Sequence, residues 1–85
     1  MYKNKTPDGR NNICGLKIKK YRKQIKSLSQ KKFADMLQLN GLDIDKNAIQ
    51  RIESGQRFVT DIELKVIAKV LNVSYEQLLD ISPDE

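Results

Sequence analysis

Histidine and tryptophan are absent from this chain, and cysteine occurs once, at Cys14. Without an imidazole base neither a serine triad nor a cysteine-protease site can be assembled, so no enzyme is expected. A single cysteine excludes an internal disulfide. With no histidine beside it there is no ordinary zinc site, so neither metal nor cofactor is expected. Cys14 heads an apolar stripe and reads as a small buried hydrophobe. Aromatic residues make up only 6% of the chain, and Tyr21, Phe33 and Phe58 fall at positions that read as core. That scarcity argues against a single-stranded RNA reader, which stacks bases on several exposed rings. No apolar run approaches the roughly 20 residues that span a bilayer, and no signal-peptide core follows the N-terminus. The expectation is a cytoplasmic protein. Repeats and strand-period alternation are missing too, which leaves helices.

What is present is charge. Lys and Arg number 16 against 11 Asp and Glu, a net +5, in a chain that is 32% charged and 39% hydrophobic. This is the balance of a soluble globular domain with a small core. The charge is also divided along the chain. Residues 1–57 hold 14 basic side chains against 5 acidic ones, and residues 58–85 hold 2 against 6. Such a field draws a polyanion to one side of the molecule. A membrane surface is the poorer match, because the basic segment lacks the Trp or Phe anchors of an interfacial helix.

Taken in order, residues 1–11 read as a flexible basic N-terminal arm with a turn at Pro7-Asp8-Gly9. Its Lys3, Lys5 and Arg10 are either a solvated tail or contacts along a phosphate backbone or a minor groove. Residues 12–81 read as the folded domain and 82–85 as an acidic tail. A first helix over about 12–26 carries Cys14, Ile18, Tyr21 and Ile25 on one stripe, with Asn11 or Asn12 as its cap. Its other faces hold Lys17, Lys19, Lys20, Arg22, Lys23 and Lys26, a like-charge density that an anionic partner would relieve. Ser29 caps a second helix over 30–39, whose first turn, Gln30-Lys31-Lys32, is cationic. That opposes the helix dipole unless the N-terminus faces phosphate. Asn40-Gly41 ends it, and a connector leads through Ile44, a hydrophobic staple, to Asp45.

Asp45 caps the stretch around which the rest is organised, ending at Ser54-Gly55. Only Ala48, Ile49 and Ile52 there are apolar, one narrow seam for a core. Lys46, Asn47, Gln50 and Arg51 lie off it, the side-chain types that donate to base edges and phosphates. Phe58 and Val59 are expected to plug the core from the following loop. Thr60 and Glu63 form a capping box for a core helix over 61–71, and Ser74 and Gln77 a second box for a last short helix. The prediction is an all-α fold, a compact bundle of five short helices.

Leu28-Ser29-Gln30, Phe33-Ala34, the run Ile49 to Gly55, Leu64 to Leu71 and Val73-Ser74 resemble the Cro/lambda-repressor (Xre) type of helix-turn-helix domain over about 13–80. The connector NGLDID is longer than the family's usual turn, and one extra residue lies near Ile25–Ser27. The resemblance implies that the third helix enters the major groove. Lys46, Asn47 and Arg51 are then base-reading candidates, with Gln50 on the flank. It also implies phosphate contacts from Gln30, with Lys31 in the same turn, and from Arg57 with the backbone amides near Gly55. Finally, it implies an Arg22–Glu53 ion pair that locks the third helix to the first. The function expected is a sequence-specific double-stranded DNA-binding regulator, most simply a repressor. A homodimer through Tyr75, Leu78, Leu79 and Ile81 would give it two half-sites. The alternative is an antitoxin-like or other protein-interaction module, for which substitution of the third helix's polar side chains would spare the partner complex.

Overall fold

Each helix begins on a local signal. The computed structural model describes residues 5–24 and 27–79. Lys3, Ile25, Lys26, Ile81 and the 82–85 tail therefore lie outside the described residues. The elements are α1 (Gly15–Gln24), α2 (Gln30–Leu39), α3 (Lys46–Ser54), α4 (Asp61–Leu71) and α5 (Tyr75–Leu79), and no strand occurs among the described residues. Asn12 rather than Asn11 caps α1, its Oδ1 accepting the Gly15 N–H at 2.8 Å. Ser29 accepts the Lys32 N–H, and Asp45 accepts the Ala48 N–H at 2.8 Å. Both capping boxes form. The Thr60 amide donates to Glu63 Oε1 at 2.9 Å while the Thr60 hydroxyl accepts the Glu63 N–H, and Ser74 and Gln77 repeat the pattern. Gly55, with φ 85°, closes α3 in the left-handed conformation that a side chain would strain.

The core is a single cluster in which Ile18, Phe33, Leu37, Ile49, Ile52, Ile67, Leu71 and Leu78 are sealed from solvent. Every helix contributes to it. α3 packs on α1 and α2, α4 on α1 and α2, and α5 on α1 and α4. α3 thus has two supporting helices behind it and solvent in front. Ile44, buried ahead of α3, and Ile49 within it belong to the same cluster, as a staple requires.

Three expectations change. Phe58 does not plug the core: it is 52% exposed, whereas Val59 packs against the cluster. The loop from Gly55 to Thr60 is too short to turn both adjacent side chains inward, and the β-branched neighbour takes the site. Leu78, expected at a dimer contact, is fully buried in its own chain, whereas Tyr75 and Leu79 are exposed. Residues 6–11, read from sequence as part of a flexible arm, are folded back against the end of α3 through backbone and side-chain hydrogen bonds.

Candidate nucleic-acid interface

One helix divides its faces sharply. On α3, Ile49, Ile52 and Glu53 are buried, while Lys46, Asn47, Gln50, Arg51 and Ser54 are exposed. Asn47, Gln50, Arg51 and Ser54 fall at steps of three and four residues. One outward row results, and these four line a shallow polar depression together with Gln56. Gln50, expected on the flank, lies inside this row, and Lys46 stands exposed on the first turn. Ser54 and Gln56 were not singled out from sequence. Ser54 continues the seven-residue spacing from Asn47 and was findable. Gln56 follows the left-handed turn at Gly55, and its direction is set by tertiary contacts.

The inner face of α3 is held by charge. Arg22 on α1 donates from Nε to Glu53 Oε2 at 2.7 Å and from Nη2 to Glu53 Oε1 at 2.9 Å. Both side chains are almost wholly buried. Arg22 Nη1 also donates to the Leu28 carbonyl at 2.6 Å, and Gln30 Nε2 donates to Glu53 Oε1 at 3.0 Å. The Arg22–Glu53 pair thus joins α1, the connector after it, α2 and α3. Bidentate pairing of this kind is strong and directional, and it orients α3 about its own axis.

The phosphate candidates are placed differently from one another. Gln30 spends one amide hydrogen on Glu53 and retains a second, at the N-terminus of α2. Lys31 pairs with Asp35 at 3.3 Å, with both side chains more than half exposed. Such a pair is worth little in water and yields readily to another anion. Arg57 is engaged more tightly. Its Nη1 and Nη2 donate to the Glu63 carboxylate at 3.0 and 2.8 Å, and Nη1 also donates to the Phe58 carbonyl. The Glu63 hydrogen bond raises the Arg57 pKa above its ordinary value. Burial pushes the Glu63 carboxyl up, but hydrogen bonds from Arg57 and the Thr60 amide outweigh it and leave Glu63 below its usual range. The amides near Gly55 are turned inward. Those of Gly55, Gln56 and Arg57 donate to the carbonyls of Ile52, Arg51 and Arg51. The left-handed turn at Gly55 aims them back at the helix end, so these three N–H groups are already committed.

A second surface lies on α4 and α5, where Ile62 is 70%, Tyr75 51% and Leu79 39% exposed. These three border one apolar groove with Leu64, Asp61 and Lys65. α3 makes its main contacts with α1 and α2, so the groove and the polar row belong to different sides of the bundle.

Comparison with known proteins fits this geometry. The family description Helix-turn-helix matches residues 18–78. No curated protein matches the chain. Among solved structures, the restriction-modification controller protein C.AhdI from Aeromonas hydrophila superposes with a TM-score of 0.65 at 27% identity, over 78% of this chain and 87% of that one.

Proposed function

This chain belongs to the helix-turn-helix family of DNA-binding regulators, and from that premise we propose that it reads duplex DNA with the outward row of α3. Asn47 and Gln50 offer the amide pair that matches adenine N6 and N7, and Arg51 offers the fork that matches guanine O6 and N7. Lys46, one turn earlier, is placed for the groove edge or the flanking phosphate. Gln30 and Lys31 bring the α2 N-terminus and a labile cation to the backbone, and Arg57 follows at the other end of α3. Arg57 would share its charge with Glu63 while doing so. The work assigned is binding, in the cytoplasm, and no catalytic step is required.

The observation that carries this reading is the split character of α3. Its polar row is free of the core, while Glu53 on the opposite face is riveted to Arg22. A helix that is fixed from behind and donor-rich in front is what base discrimination needs. Similarity to a controller protein supports a regulatory role, most simply repression by occupying an operator. A single α3 presents a handful of base-reading side chains, so we further propose a homodimer through Ile62, Tyr75 and Leu79. It would read two half-sites separated by about 34–36 Å.

Selection of bound duplexes from a random pool tests both parts. A palindromic sequence bound with a Kd that weakens steeply with salt, and that Asn47→Ala and Arg51→Ala each degrade, is the expected result. No enriched sequence, together with variants that bind as wild type does, would overturn it and favour a protein-interaction module.

A further inference from the structure

The C-terminal end of α3 is gripped by a part of the chain that the helix-turn-helix match does not include. Residues 6–12 form a closed hook. The Thr6 amide donates to the Arg10 carbonyl at 2.8 Å, the Gly9 amide to the Thr6 carbonyl at 2.9 Å, and the Arg10 amide to the Thr6 hydroxyl at 2.9 Å. From this hook Arg10 Nη2 donates to the Glu53 carbonyl at 2.8 Å. The Asn11 amide reaches the Gly55 carbonyl at 2.8 Å and its Nδ2 the Gln56 carbonyl at 2.8 Å. Asn12 Nδ2 bridges the Ile52 and Arg57 carbonyls at 3.0 and 2.7 Å. The last carbonyls of a helix have no partners within it, and a guanidinium there also meets the negative end of the dipole.

The fit is close. A Cβ on Gly55 would stand 2.8 Å from Arg10 Cζ, and one on Gly15 would stand 2.7 Å from Arg10 Nη2 and 2.1 Å from the Ile52 carbonyl oxygen. Two glycines therefore open the notch in which Arg10 sits. Arg10 Nε is buried there without a partner among the described residues, which offsets part of what the other bonds contribute to stability.

We propose that this hook is a positioning element for DNA reading, with Arg10 as its positioning residue, fixing the tilt of α3 from its C-terminal end. The proposal rests on α3 being the reading helix. Asp45 holds the N-terminus, and the Arg22–Glu53 pair holds the last turn from its buried side; the hook holds the same turn through its terminal carbonyls. Nine residues span about 13 Å, so a tilt of about 5° about the capped end moves the last turn by about 1 Å. That shift removes the alignment a bidentate base contact requires, and it falls on Arg51, Ser54 and Gln56. Asn11 holds the Gln56 carbonyl directly, so the hook also sets where that side chain emerges.

The test uses the full chain and the duplex it selects from a random pool, with a scrambled duplex as control. Arg10→Met is expected to weaken binding to the selected duplex about tenfold, the scale of one lost base contact. Binding to the scrambled duplex and the salt slope should stay unchanged, and amide exchange over Ile52 to Gly55 should accelerate. Arg10→Lys should recover part of the loss, restoring charge at the helix end without the planar fork. Should Arg10→Met not fold, Asn11→Ala removes the Gln56 contact while keeping the backbone of the hook and is measured in its place.

An equal loss on both duplexes, with the slope reduced by about 0.9, would make Arg10 a phosphate contact and overturn the inference. A lowered melting temperature with unchanged binding would make the hook structural only, and also overturn it. Arg51→Ala separates the two levels. If it weakens selected binding and the hook variants do not, the hook inference alone falls. If none of them matters, the assignment of α3 as the reading helix falls with it.

Discussion

Glu53→Ala is the substitution whose consequence the structure sets most tightly. It leaves the Arg22 guanidinium buried with only the Leu28 carbonyl to accept from it, and strips Gln30 Nε2 of its acceptor. Breaking one partner of a buried ion pair costs about 3–5 kcal/mol, because the remaining charge is uncompensated. A domain of 85 residues has on the order of 4–13 kcal/mol in total. The variant should therefore lose about a quarter or more of its stability. With a urea m-value of about 1–1.5 kcal/mol/M for a chain this small, the midpoint should fall by about 2–5 M at unchanged m. Equilibrium unfolding followed by far-ultraviolet circular dichroism measures it. Arg22→Met with Glu53→Leu, which removes both charges and fills their volume, should recover most of the loss and show strong non-additivity with the single variants. A Glu53→Ala midpoint within about 0.5 M of wild type would refute the argument, since the pair would then be carrying no buried charge worth compensating.

Other expectations concern packing and pH. Gly15→Ala places its methyl group 2.1 Å from the Ile52 carbonyl oxygen, a backbone atom that cannot swing away. A loss of about 1–3 kcal/mol or more in thermal or urea unfolding is expected, and a neutral result would mean that α1 and α3 are not in that contact. Phe58→Ala, at a half-exposed ring, should cost less than about 1 kcal/mol; a cost of about 3–5 kcal/mol would return Phe58 to the core. Burial raises the Cys14 thiol from 9.0 to about 11. The folded state thus keeps a proton that the unfolded chain releases. The contribution is whole below pH 9.0 and is lost as pH rises toward about 11. Relative to Cys14→Ala, wild type should lose about 1–3 kcal/mol of unfolding free energy across that window, and parallel titrations of the two proteins would contradict the burial.

What this sequence determined by itself is whatever is decided within a few residues. Ser29, Asp45, Thr60 and Ser74 cap by hydrogen bonds to the third residue beyond, and Gly55 terminates by its own φ, so the bounds of α2, α3 and α4 were legible along the chain. The three- and four-residue spacing of α3 likewise separated Ile49 and Ile52 from Asn47 and Arg51. Position alone did not tell Leu78, sealed in the core, from Leu79, left on the surface, because both suit a short helix whose rotation is fixed only by what it packs on. Nor did composition tell the four arginines apart: Arg22 is spent on Glu53, Arg57 on Glu63, and Arg10 on carbonyls more than forty positions away, while Arg51 stands exposed on α3. A guanidinium on a long stem reaches whichever acceptors the fold brings near it. Those acceptors become neighbours only when the helices have packed, and that is why the grip on the end of α3 belonged to the tertiary structure.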